Sequence, residues 1–144
     1  MTPLKKITVR EVEYTAYEMA KKIMEWGEPI PDFSSRFPHV LETCLDSPFQ
    51  TFDRKNLYKG LIGKAAMMFY MMIKNHPFQN GNKRIAIMAL LLFLHRNGRW
   101  LKVNNKELYR FAKMVAESNP KEKDVIVKNI RNFLQIFITD SPKN

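Results

Sequence analysis

Apolar residues recur along this chain at intervals of three and four far more often than they alternate. That is the period of a helix with one buried face rather than of a strand. The first such window opens at Thr8-Val9-Arg10-Glu11, which has the spacing of a capping box. Val9, Val12, Ala16, Met19, Ala20 and Ile23 then predict an amphipathic helix over roughly 8–26, stopped near Gly27 and Pro29. Pro29, Pro31 and Pro38, with Ser34 and Ser35, mark a loop. A short helix follows at about 38–46, burying Val40, Leu41, Cys44 and Leu45. Pro48-Phe49-Gln50-Thr51-Phe52 has no helical period and carries β-favouring residues, so it is expected to be extended. With Asp53 as its cap, the next helix spans about 54–75 through Leu57, Leu61, Ala65, Met68 and Met72.

A second kind of pattern begins after the next loop. From about 81 to 97 the chain is apolar nearly all round, which marks a buried central helix, ended by Asn97-Gly98. Trp100 to Val103 reads as a connector, and Asn104-x-x-Glu107 opens a helix to about 117 through Leu108, Phe111 and Val115. Beyond Pro120, Ile126, Ile130, Phe133 and Phe137 predict a last helix over about 121–138, followed by a polar tail from Asp140 to Asn144. The expected architecture is a single all-α domain over residues 1–144 with one short extended piece.

Chemistry concentrates where the loop enters the central helix, at His76-Pro77-Phe78-Gln79-Asn80-Gly81-Asn82-Lys83-Arg84. Histidine is the side chain whose unperturbed pKa lets it accept a proton near neutral pH, so His76 is a candidate general base. A helix N-terminus offers unpaired N–H groups and the positive end of the dipole to a phosphate. Gly81 lets backbone approach a ligand, Asn82 can donate, Lys83 is a point charge, and Arg84 can grip phosphate oxygens bidentately. Phe78 is apolar in a polar loop and is expected to anchor it; Pro77 stiffens the turn. Each residue also has a structural reading, with His76 as a helix C-cap and Asn80 as the N-cap of the next helix. Their gathering in one loop favours the chemical reading.

Composition narrows this further. The net charge of +10 suits nucleic acid, an acidic protein or nucleotide phosphates, but the cations are scattered. No basic stripe with interleaved aromatics is present, so direct nucleic-acid binding is not expected. The apolar runs Ala65–Ile73 and Ile85–Leu94 are about half the ~20 residues of a membrane span. Lys5 and Lys6 precede apolar residues without the pattern of a signal peptide. The lone Cys44 excludes an internal disulfide and fits a reducing compartment, so a cytoplasmic location is expected. His39 and His95 lack metal-ligand spacing to each other or to Cys44, and Gly60-Leu61-Ile62-Gly63-Lys64-Ala65 is too short for a P-loop and reads as helix.

The nine-residue run resembles the signature of the Fic/Doc superfamily, His-Pro-Phe-x-(Asp/Glu)-Gly-Asn-(Gly/Lys)-Arg. Its Lys83 is similar to the death-on-curing (Doc) branch, the toxins of toxin–antitoxin pairs. The resemblance extends upstream through Leu41-Glu42, Leu45, Pro48, Gln50-Thr51-Phe52, Leu57-Tyr58 and Lys64-Ala65-Ala66, and downstream through Leu92-Phe93-Leu94 and Asn97-Gly98. It implies a compact helical fold, ATP as co-substrate with Mg²⁺, and transfer onto a hydroxyl of a target protein. His76 would be the base; Gly81, Asn82, Lys83 and Arg84 the phosphate cradle; and Asn80 would occupy the metal position. Pro48, Phe49, Gln50, Thr51 and Phe52 would form a flap that holds the target by strand-like pairing. In Fic members the hydroxyl attacks the α-phosphate and AMP is transferred. In the Doc branch the γ-phosphate moves, making a kinase whose known target is elongation factor Tu.

Three positions depart from the family pattern. Asn80 stands where a carboxylate is usual, and an amide oxygen is a weaker ligand for a hard cation. The second arginine of AMP-transferring motifs falls at Ile87, which together with Lys83 points to the kinase over the AMP transferase. No inhibitory Ser/Thr-x-x-x-Glu-Gly/Asn motif is present, since Ser118-Asn119-Pro120-Lys121-Glu122 is followed by Lys123. Inhibition in trans by an antitoxin is therefore expected. The alternative from another class is a catalytically silent Fic-fold binding module, motivated by Asn80.

Overall fold

The structure, a computed structural model, describes residues 3–23 and 29–142, and it is helical where the 3.6-residue period is strongest. Helix α1 (residues 9–23) is α-helical over Val9–Glu11, π-helical over Val12–Tyr17 and α-helical again over Glu18–Ile23. The predicted capping box starts it. Thr8 Oγ1 accepts from the Glu11 N–H at 3.1 Å, and Glu11 Oε1 accepts from the Thr8 N–H at 3.1 Å. The predicted end of this helix at 24–26 and its Gly27 stop lie outside the described residues. Met19 and Ile23, expected on its buried face, are partly exposed.

Helix α2 (Pro38–Asp46) begins with proline in its first turn and buries Leu41, Cys44 and Leu45, with Val40 half-buried against the core. Helices α3 (Gly60–Lys74), α4 (Asn82–Arg96), α5 (Asn105–Glu117) and α6 (Lys123–Phe137) complete the helical set. Helix α4 is the central element, packed by α3, by the π-helical part of α1 and by α5. Burial on every side explains why its sequence shows no polar face: Ile85, Ala86, Ile87, Ala89 and Leu94 are fully buried. Phe69 of α3, Phe111 of α5 and Phe133 of α6 stack in series, with centroids 6.4 and 4.1 Å apart. Such pairs add roughly 0.5–1.5 kcal/mol each beyond the area they bury. No helix among the described residues is long and apolar enough to cross a membrane.

Two predicted segments fold differently. The helix expected from 54 starts only at Gly60, and the residues before it form a hairpin of β1 (Thr51–Phe52) and β2 (Lys55–Asn56). Asp53 and Arg54 have φ of 52° and 63°, the left-handed pair that a two-residue hairpin turn demands. Asp53 is thus a turn residue and not a cap, and Leu57, expected in the core, is 52% exposed. Pro48 and Phe49 lie in a 3₁₀ turn (Ser47–Phe49), so the extended piece begins after them.

The second difference is at Trp100. The expected connector contains β3 (Arg99–Leu101), which pairs antiparallel with β4 (Ile138–Asp140). Asp140 therefore belongs to a strand and not to the polar tail. This pairing joins segments far apart in sequence, and three-residue strands leave no local period to read. Neither two-stranded piece alters the class: the chain is a mostly helical, compact domain with a short hairpin ahead of the helix that leads to the motif.

Candidate active site

The motif loop joins α3 to α4. Helix α3 ends at Lys74 with Asn75 as its C-cap, so His76 follows the helix rather than ending it. His76 has φ of 52°, a left-handed backbone that costs a non-glycine residue of order 1–2 kcal/mol. Contacts on both sides hold it there. The Phe37 N–H donates to the Pro77 carbonyl at 2.8 Å, tying the loop to the start of α2. Phe78 is 1% exposed and packs against Phe33 and Tyr17, with centroids 5.7 and 6.4 Å away, so the expected anchor is in place. Tyr17 lies at the end of the π-helical segment and its hydroxyl donates to the Pro31 carbonyl at 2.7 Å.

Asn82 does the finer positioning. Its Oδ1 accepts from the Phe78 N–H at 2.9 Å and its Nδ2 donates to the Phe78 carbonyl at 2.8 Å. Those two bonds fix which end of the amide is which. The Nδ2 then faces His76 Nδ1 at 3.3 Å as a donor, leaving a lone pair on Nδ1 and the neutral ring's proton on Nε2. The contact is long and His76 is an exposed residue, so another donor can displace the amide at small cost.

The N-terminus of α4 lies next to this histidine in the chain. Its N-cap is Gly81, with φ of 78°, and no side chain caps it. Gly81 is required twice over. A Cβ there would suffer the left-handed penalty and would sit 2.8 Å from Ile30 Cγ1. Asn80, considered above as the N-cap, is one residue too early; its Oδ1 instead accepts from the Gly81 N–H at 2.8 Å. Lys83 is half-buried, and Arg84 is 6% exposed and engaged within the described structure. The geometry brings His76, Gly81, Asn82, Lys83 and Arg84 into one loop and one helix turn whose dipole favours an anion.

A protein-held metal does not fit this loop. Mg²⁺ is ordinarily bound through one or two carboxylates together with substrate phosphates. Here the motif contributes no carboxylate, the neutral Asn80 amide oxygen already accepts one bond from the Gly81 N–H, and no group of three or more His, Cys, Asp or Glu side chains is present among the described residues.

Upstream, the β1–β2 hairpin stands exposed, with Phe52 at 74% and the Gln50 carbonyl accepting from the Leu57 N–H at 3.2 Å. Gln50, Thr51 and Phe52 belong to it or lead into it, whereas Pro48 is buried in the preceding turn and Phe49 packs on Phe93. The residue that sequence reasoning missed is Lys64. Its ammonium is buried in α3, donates to the Tyr58 carbonyl at the foot of the hairpin, and lies 5.6 Å from the centre of the Phe49 ring. Burial pushes its pKa down. Lys64 thereby grips both ends of the hairpin, and Gly63 lets Tyr58 lie close against α3, where a Cβ would meet it at 3.3 Å. The available signal was a lone cation inside the apolar run from Leu61 to Ile73. Two clefts open elsewhere: an apolar one near Met88 and Trp100, and a basic one at the foot of the hairpin. No motif residue lines either.

No curated protein and no solved structure matches the chain. The model of the Fic/DOC family matches residues 7–94, more than half of the chain, from the capping box of α1 through the motif and most of the central helix. The chain belongs to the Fic/DOC family.

Proposed function

We propose that this domain is a Doc-like toxin that transfers the γ-phosphate of ATP to a hydroxyl of a target protein. The hydroxyl oxygen forms a bond to the γ-phosphorus while the bond to the β–γ bridging oxygen breaks and ADP leaves. The hydroxyl proton passes to the His76 imidazole. The observation that carries this reading is the Asn82 side chain. It locks the loop through Phe78 and so sets His76 next to an uncapped, fifteen-residue helix whose first turn contains Lys83 and Arg84. Fixed donors and cations at that turn would stabilise charge on the transferred group, the term expected to dominate such a reaction.

Phosphate rather than AMP transfer is supported by Ile87. It is fully buried in α4, so the position of the second arginine presents no cation to a nucleotide. The hairpin is the proposed flap for the target strand, and a translation factor such as elongation factor Tu is the proposed target, in the cytoplasm. With no inhibitory motif in the chain, an antitoxin acting in trans is the proposed control. Asn80 favours a second reading, a silent Fic-fold binding module, because the one motif oxygen at the metal position already accepts from Gly81.

The test is transfer of label from ATP in cell extract, using wild type and His76→Ala in the presence of Mg²⁺. His76-dependent label from the γ-position and none from the α-position supports the kinase. Label from the α-position would replace it with AMP transfer, and no His76-dependent label from either would leave the binding module.

A further inference from the structure

A cleft of about 480 Å³ lies between the foot of the β1–β2 hairpin and helix α6. Lys59 lines it from the hairpin side, and Lys123, Lys128 and Arg131 line it from α6. Asp124 is the one acid in its wall. None of the four cations forms an ion pair among the described residues; Lys123 Nζ lies 5.9 Å from the centre of the Tyr70 ring. Met67, Val127 and Leu57 give the cleft its apolar lining. Uncompensated cations around a concave, low-dielectric lining focus a positive potential there.

The cleft also continues the hairpin. Leu57 and Tyr58, which follow β2, line its rim, and the Leu57 N–H bonded to the Gln50 carbonyl carries the hairpin pairing to that rim. We propose that this cleft is a docking exosite for an acidic segment of the protein substrate, flanking the residue that is modified. This rests on the reading of the hairpin as the substrate flap. The cleft contributes affinity and selection, not chemistry, because no motif residue reaches it.

The test uses the full chain and a fluorescein-labelled, glutamate-rich peptide containing one serine, followed by anisotropy at physiological salt. Lys128→Glu/Arg131→Glu reverses two exposed cleft charges; Lys106→Glu/Lys113→Glu makes the same charge change on the exposed side of α5. The expected result is peptide binding by wild type and by His76→Ala alike. Binding should be at least about tenfold weaker in the cleft variant and within about twofold of wild type in the control. Matching thermal melts establish that both variants fold. In the extract assay, the cleft variant should need more substrate to reach half-maximal labelling while its plateau is unchanged.

The proposal is overturned if the peptide does not bind, if the control variant weakens binding equally, or if inorganic phosphate displaces the peptide as well as unlabelled peptide does. It is also overturned if half-maximal labelling does not move. Absence of His76-dependent labelling in wild type would sink the transferase reading, and with it the substrate assignment. The peptide measurement still judges the cleft by itself.

Discussion

Replacing Asn82 with alanine removes the side chain that holds the motif loop closed. Two bonds are lost, at 2.9 and 2.8 Å, and both leave a buried backbone group of Phe78 without its partner. An unsatisfied buried donor or acceptor costs about 1–3 kcal/mol. Asn82 is 8% exposed, so a water can reach part of the space and the sum falls to roughly 2–4 kcal/mol. Against a total stability of about 5–15 kcal/mol this is large. Urea unfolding should show a lower midpoint with the same slope, and the melting temperature should fall by roughly 5–15 °C. Hydrogen exchange adds a local signature: the Phe78 amide, protected by Asn82 Oδ1, should exchange far faster, while amides deep in α4 change only with the global stability. Asn82→Asp keeps the acceptor for the Phe78 N–H but sets a second acceptor against its carbonyl, so it should recover only part of the loss. A destabilisation below about 0.5 kcal/mol, the size of an ordinary surface change, would refute the idea that this amide holds the loop.

Gly81→Ala should cost about 2–3 kcal/mol, from the left-handed backbone and the 2.8 Å approach to Ile30. Adding Ile30→Ala should relieve the contact but not the backbone, so the double variant measured by urea unfolding should be more stable than additivity predicts. Lys64→Met keeps the length of the side chain but loses the Tyr58 bond. Exchange of the amides over 50–57 should quicken about five- to thirtyfold while the core is unchanged; equal exchange would remove Lys64 as the grip on the hairpin. Burial pushes the Cys44 thiol up to about 12, whereas an unfolded thiol titrates near 8.5. The unfolded state therefore loses its proton first, and the contribution to stability is complete below about pH 8 and falls as pH rises towards 12. The slope approaches ~1.4 kcal/mol per pH unit. In Cys44→Ala the alkaline slope of unfolding free energy should be smaller by up to that amount, with the remainder coming from the buried Tyr17 and Tyr70 hydroxyls, also pushed up by burial, and from Lys64, pushed down.

The parts of this fold that sequence reveals are those fixed locally. The capping box at Thr8, the all-apolar α4 and the Asn104 cap each announce themselves within one or two helical turns, and each is present. The β3–β4 pairing is invisible because its partners are far apart and too short for a period. The hairpin at 51–56 was hidden for another reason. Asp53 reads equally well as a helix cap and as a left-handed turn residue, and only the pair of positive φ angles decides. In the motif, residue types were legible but not their division of labour. The Asn82 side chain bonds Phe78 and His76, partners brought to it by the turn of the loop rather than by sequence spacing, which leaves its backbone N–H to the helix N-terminus. Arg84 reads from sequence as a cation for phosphate, and its burial to 6% exposure could not be read there because it comes from the packing of the first turn of α4. Lys64 is visible in the sequence within the family resemblance and a short P-loop look-alike, but its grip on the hairpin is not, because a buried lysine is recognised by its partner and Tyr58 is brought to it by the fold.

The central claim is that the first turn of α4, beside His76, receives the phosphates of a nucleotide. The most direct measurement is the amide chemical shifts of Gly81, Asn82, Lys83 and Arg84 as ATP is added to the ¹⁵N-labelled protein, with adenosine as the control. The account predicts that these four amides shift progressively with ATP, remain in place with adenosine, and respond more weakly in Lys83→Ala. Unchanged shifts at 81–84 while amides elsewhere respond to ATP would contradict it.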